Sequence, residues 1–258
     1  VDSDENGEPV LDFGATAGED GLGYYRYRAI EFLKSEENRR RHEINNLSVT
    51  GTSQRLAQIM ELLLVKRLES SQAAFKESLH NLHRYTENMI KMWNADRIFI
   101  CPDLNVNKEL NDENISKNGT FEQTLCVLAE KAKKANKKNS GDGNEGPNQE
   151  YKRADFFDSY IENLNNDLRL IDELCTKWDV QTSDPKMSTF IFETARQFLD
   201  PKRNKNNKLI IFTECIATQK ALVQKLNEMP IPNCNVLSIT AKNRDDMKEI
   251  IAANFDAN

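Results

Sequence analysis

The amino-acid sequence predicts a predominantly helical α/β protein, with long helices through the middle of the chain and a partial parallel sheet at its C-terminal end. Three observations carry that expectation. Apolar residues recur at helical spacing over residues 54–94, 121–134 and 154–178, with polar residues between them, the pattern of helices that bury one face. Two short apolar runs, 208–213 (Lys-Leu-Ile-Ile-Phe-Thr) and 235–240 (Asn-Val-Leu-Ser-Ile-Thr), flank a helical stretch, as parallel strands flank their crossover. Charged residues make up 29% of the chain and its mean hydropathy is −0.68, a balance that suits solvated helices better than a compact β fold.

Taken in order, residues 1–23 hold seven acids, no base before position 24, and several glycines; they are expected to be a linker or a disordered lead-in. A first helix is expected over 24–38, with Tyr27, Ile30 and either Leu33 or Lys34 inward. Residues 45–52 are turn-like, and Ser53 is the expected N-cap of a long helix over 54–94. Leu56, Ile59, Met60, Leu63, Phe75, Leu79, Leu82 and Trp93 mark its inner face. Residues 62–65 are apolar all round, which predicts burial on several sides. Neither proline nor glycine interrupts this stretch, and Ser70-Ser71 is the place for a bend.

Arg97-Ile-Phe-Ile-Cys101 reads as a short strand, 103–120 as a polar loop, 121–134 as a helix with a lysine-rich end, and 137–148 as a mobile linker. Phe157, Tyr160, Leu164, Ile171 and Cys175 place a strong helix over 154–178. Another over 187–199 is opened by Asp184-Pro185. The C-terminal β-α-β-α comprises 208–213, a helix over 216–226, 235–240 and a helix over 244–255. Two parallel strands and a crossover do not bury both sheet faces, and sheets ordinarily hold about five strands. The chain therefore reads as a piece of a longer protein, divided into a lead-in (1–23), a helical region (24–200) and the start of an α/β domain (201–258).

The net charge is −6 over 258 residues, unevenly placed: residues 26–97 hold thirteen Lys/Arg against nine Asp/Glu, and residues 150–200 hold eleven acids against six bases. The basic excess permits phosphate contact, although mixed charge is also the ordinary state of a helix surface. Five cysteines without a C-x-x-C point to reduced thiols and a cytoplasmic protein. No run approaches the roughly eighteen apolar residues of a membrane span. His80 and His83 share a helical face with Glu77, a spacing that suits a metal and equally a solvated polar face. Lysines 131, 133, 134, 137 and 138 suit a flexible basic arm, for phosphate or for solubility.

The most distinctive string is Leu62-Leu63-Leu64-Val65-Lys66-Arg67-Leu68-Glu69-Ser70-Ser71, followed by Ala74-Phe75 and Ser78-Leu79. Read from periodicity, it is a buried helix with Lys66-Arg67 at its rim. It also resembles the segment joining the two RecA-like lobes in bacterial superfamily-two (DEAD/DEAH-box) helicases of the Swi/Snf-like, RNA-polymerase-recycling type. Four further stretches resemble that family in the same order: Tyr25-Arg26-Tyr27-Arg28-Ala29-Ile30-Glu31-Phe32-Leu33, then Asp184-Pro185-Lys186-Met187, then 208–213 with Thr218 and Leu226, and finally Phe255-Asp256-Ala257-Asn258.

The resemblance implies an interlobe helical region followed by the first half of the second RecA-like lobe of an ATP-dependent DNA helicase or translocase. It implies ATP and Mg²⁺ for the parent protein, with the first lobe and the rest of the second lobe as its missing partners. It also implies weak, non-specific contact with DNA here. Lys66 and Arg67, at the family's basic pair, and Thr213 and Thr240, at the ends of the two expected strands, are the candidate nucleic-acid contacts. The ordinary alternatives are salt bridges for the pair and strand capping for the threonines.

The departures are as informative. No Gly-Lys-Ser/Thr phosphate loop occurs, although its amides and lysine are what hold nucleotide phosphates. Asp112-Glu113 and Asp172-Glu173 do not follow strands, and Val49-Thr50-Gly51-Thr52 stands too close to Lys66 to be a first-lobe motif. No catalytic residue is assigned, no cofactor is expected in this chain alone, and ATP hydrolysis by it is not expected. The competing expectation is a helical protein-interaction or adaptor module without motor activity.

Overall fold

Apolar residues at three- and four-residue spacing wind most of the chain into helix, as the periodicity requires. The computed structural model describes residues 21–42, 49–140, 146–228 and 235–255. It divides into two units, one of Val1–Lys66 and Ser78–Val180, the other of Arg67–Glu77 and Gln181–Asn258. The expected lead-in lies, up to residue 20, outside the described residues.

The first unit opens with 3-10 turns at Tyr25–Tyr27 and Ala29–Phe32, then α1 (Glu36–Arg40), α2 (Val49–Ser70) and α3 (Gln72–Asn94), the last two shared with the second unit. β1 (Ile98–Ile100), α4 (Val106–Glu109), α5 (Asp112–Asn118), α6 (Phe121–Ser140), β2 (Gln149–Tyr151), a 3-10 turn at Arg153–Asp155 and α7 (Ser159–Asp179) complete it. β1 and β2 pair antiparallel, with Ile98 opposite Tyr151 and Ile100 opposite Gln149. The core gathers Leu33, Trp93, Ile98, Leu125, Leu128, Phe156, Tyr160 and Leu164. Phe156 stacks on Tyr160 at 5.2 Å, and Trp93 meets both rings edge-on at 5.8 Å.

The second unit carries α8 (Pro185–Glu193), a π turn at Thr194–Phe198, α9 (Ile216–Glu228) and α10 (Lys248–Phe255). Among its described residues Ile191, Leu222 and Leu226 form a core cluster, with Met187, Phe190 and Val236 against them, and Ala74 and Phe75 are also buried. Asp184 caps α8 by accepting from Met187 N at 2.9 Å, and Pro185 takes the first turn.

Several expectations are corrected. The chain is predominantly helical, as the sequence predicts, but the parallel RecA-like sheet is not formed: the β1–β2 pair is the only sheet among the described residues. Residues 208–213 and 235–240 are not strands. A strand needs neighbours to take its N–H and C=O groups; without them Ile210, Ile211 and Phe212 stay exposed, Phe212 to 91%. The first helix is replaced by 3-10 turns, because Leu33 turns extended, is wholly buried and bridges Phe156.

Ser53 is no N-cap. It lies inside α2, buried, with its hydroxyl unpaired. Residues 62–65 are not buried on several sides: Leu64 is buried, while Leu62, Leu63 and Val65 are exposed. The expected polar loop over 103–120 contains α4 and α5, each opened by an asparagine cap, Asn105 and Asn111.

The expected linker over 137–148 is in part the last turn of α6, which also puts the basic lysines on a helix. Its far end is fixed: Asn148, buried, exchanges hydrogen bonds with Asn136 and with Asp103. Residues 141–145 lie outside the described residues. No helix among the described residues is long and apolar enough to cross a membrane.

Candidate functional site

Three of the four candidate contact residues lie around the first turn of α9. Arg67 closes the long apolar run of α2, and its guanidinium donates to the thiol sulfur of Cys215, which is buried just ahead of α9. Thr213 is exposed, and its hydroxyl accepts from Cys215 N at 3.2 Å, a turn two residues long that leads into the helix. Gln219 on α9 donates to the carbonyl of Ile239 at 2.7 Å, which places Thr240 beside the same helix. Thr240 is half-buried and caps its own turn: its hydroxyl donates to Asn243 Oδ1 at 3.1 Å and its carbonyl accepts from Arg244 N at 3.0 Å. Both threonines therefore cap turns, and neither ends a strand. Lys66 is exposed on α2 and belongs to the first unit.

Thr218 was missed by sequence reasoning as the centre of this site. Its hydroxyl, buried in α9, lies 2.8 Å from Ser70 Oγ and 2.7 Å from Ser71 Oγ. Ser71 Oγ also accepts from Ala74 N at 3.1 Å, and so caps α3. That cap is the physical reason the expected 54–94 helix breaks into two: a serine hydroxyl that satisfies a backbone N–H competes with the helical ladder. The paired serines inside a helical pattern were the signal available in the sequence.

Asp184 serves two helices at once. One carboxylate oxygen accepts from Met187 N of α8, the other from Gln72 N of α3 at 2.9 Å. Lys186 beside it donates to the carbonyl of Glu69. Negative charge at two helix N-termini is favourable, and each lost cap costs about 1 kcal/mol. Asp184→Ala is therefore expected to destabilise the second unit by about 2 kcal/mol, read as a shift in a urea midpoint followed at backbone amides of α8. A shift no larger than a surface substitution gives would sink this account.

The other constellations take structural partners. His80 pairs with Asp179 at 3.0 Å, and His83 lies 3.7 Å from Asp172 and 3.9 Å from Glu87. Among the described residues no group of three His, Cys, Asp or Glu side chains is arranged to hold a metal ion. Asp112 opens α5 and Asp172 faces His83. Neither acidic pair follows a strand among the described residues. Cys101, Cys126, Cys175 and Cys215 are free thiols. A cavity of about 320 Å³ in the second unit is lined by Gln197, Phe198, Arg203, Asn204 and Leu209, with Arg203 already donating to Gln197.

Comparison with known protein families, with curated proteins and with solved structures gives no match to this chain.

Proposed function

We propose that the chain forms part of an ATP-dependent nucleic-acid helicase or translocase, supplying interlobe scaffold and backbone contacts while lacking the nucleotide machinery. The observation that supports this reading is the convergence around α9. Arg67-Leu68-Glu69-Ser70-Ser71, Asp184-Pro185-Lys186-Met187 and Thr218 are the strings that resemble the helicase family, and they are joined by side-chain hydrogen bonds although 117 to 148 positions separate them. A motor segment that transmits nucleotide-driven closure needs such a rigid joint between distant parts of the chain. Lys66, Arg67, Thr213 and Thr240 are its candidate contacts for a phosphate backbone, and DNA is its partner.

The test is binding of labelled oligonucleotides, single-stranded and duplex, followed by fluorescence anisotropy. Weak binding is expected at low salt in both forms and without sequence preference. It should fall as salt rises with a log–log slope of about −0.7 to −0.9 per phosphate contacted. Silence at low salt would overturn the reading. It would favour a docking module without motor activity, which draws on the exposed Leu62, Leu63 and Val65 of α2, since exposed apolar clusters commonly meet partner proteins.

A further inference from the structure

The first unit holds two guanidiniums against two aromatic rings. Arg26 lies over the ring of Tyr27, 4.5 Å from its centre, and over that of Tyr85 at 5.0 Å. Arg84 lies over the Tyr85 ring at 5.3 Å. The two tyrosines are brought together by backbone geometry. Tyr24 adopts a left-handed conformation (φ 52°) and starts the 3-10 turn that carries Arg26 and Tyr27, while Arg84 and Tyr85 are neighbours on α3. Arg84 is exposed, and Arg26, Tyr27 and Tyr85 are half-buried.

These guanidiniums differ from their neighbours in charge balance. Arg28 is held by Glu31 at 2.8 Å and Arg97 by Glu150 at 2.6 Å. Among the described residues neither Arg26 nor Arg84 makes a salt bridge to a carboxylate; Arg84 donates to the neutral Asn81 Oδ1. The nearby acid Asp167 is buried and turned to the backbone N–H groups of Gly23 and Tyr25. A guanidinium resting on a ring keeps its plane fixed, and with five N–H donors it still has some to offer an oxyanion when one or two are bonded to neutral partners. Aromatic and guanidinium faces stack unpaired bases whatever their identity, which a duplex does not offer.

We propose that Arg26, Tyr27, Arg84 and Tyr85 form a contact surface for single-stranded nucleic acid, with phosphates at the two guanidinium edges and a base on the ring cluster. This rests on the nucleic-acid reading above and gives it a second surface, on a different unit from Arg67. The aromatic half of the cluster favours this ligand over an acidic peptide, which would need the cations alone.

The experiment uses the full chain and a labelled oligo-dT in anisotropy titrations across a salt series. Arg26→Gln with Arg84→Gln is expected to weaken binding at least tenfold and to make the salt slope shallower by about 1.4, the share of two phosphates on a single strand. Tyr85→Ala should weaken binding about tenfold with the salt slope unchanged, while Tyr85→Phe, which keeps the ring, should bind as the parent chain does. Arg84→Gln alone, at an exposed position, gives the same reading on half the scale if the double variant folds poorly. Unchanged affinity in these variants, with the parent chain still binding, overturns this surface and leaves the proposed function standing. No binding by the parent chain overturns both. Displacement of oligo-dT by polyglutamate at equal charge concentration assigns the surface to acidic peptides and overturns the proposal.

Discussion

Phe156→Ala is expected to destabilise the first unit by about 4 kcal/mol, the usual range for truncating a buried aromatic being about 3–5 kcal/mol. Phe156 is wholly buried, stacked at 15° on Tyr160, and met edge-on by Trp93 and Tyr151. Its backbone also matters, because Leu33 bridges it and Phe157 N donates to Phe32 O at 2.9 Å. Removal of the ring leaves a cavity walled by other rings, which are too rigid to collapse into it. Urea unfolding followed by tryptophan fluorescence reads the loss directly, since Trp93 lies 5.8 Å from the deleted ring. A loss below about 1 kcal/mol would mean that the cluster repacks, and would contradict the rigidity of its rings.

Acid is expected to destabilise the same unit through His42. Its imidazole is buried against Tyr151, 2.9 Å from the phenolic oxygen, and burial followed by the nearby Arg41 lowers its pKa to about 4. The unfolded chain takes up a proton near the ordinary value of about 6.5, whereas the folded chain resists until about 4. The contribution is therefore present above pH 6.5 or so and is lost progressively down to about pH 4, by roughly 3 kcal/mol if no other group titrates. Asp167 works in the opposite direction: burial raises its carboxyl pKa, so its protonation on acidification favours the folded state. Comparison of the parent chain with His42→Gln isolates the first effect, because glutamine can still bond to Tyr151 but does not titrate. Equal pH slopes of stability in the two proteins would rule His42 out as the cause.

Much of the helical architecture was legible because it depends on local periodicity. The apolar spacing over 154–178 foretold α7, Asp184-Pro185 foretold the start of α8, and Arg97-Ile-Phe-Ile foretold β1. What was not legible depended on partners distant in sequence. Residues 208–213 have the composition of a covered strand, but composition does not supply a neighbouring strand, and these residues form no ladder. Leu62 and Val65 have the composition of a core, yet both are about half exposed. The linker reading of 137–148 is corrected at its two ends, where 137–140 belong to α6 and Asn148, polar and unremarkable in sequence, fastens to Asn136. In the candidate site, Arg67 was readable from its place after the leucine run. Thr218 was not, since a threonine inside an amphipathic helix looks the same with or without two serines at hydrogen-bond distance.

The joint between Ser70-Ser71 and Thr218 also sets an order of events during synthesis. Arg67–Glu77 belongs to the second unit, yet its two serines leave the ribosome 147 to 148 residues before the threonine they meet. Until then the break between α2 and α3 has only the local Ser71 cap to hold it, and Asp184, which also caps α3, is itself 112 residues away. Contacts so distant in sequence form late, because the closure entropy of the intervening chain must be met first. The second unit thus cannot be completed while the polypeptide is still being extended through α7, and cutting the gene at residue 180 would separate Thr218 from both serines for good.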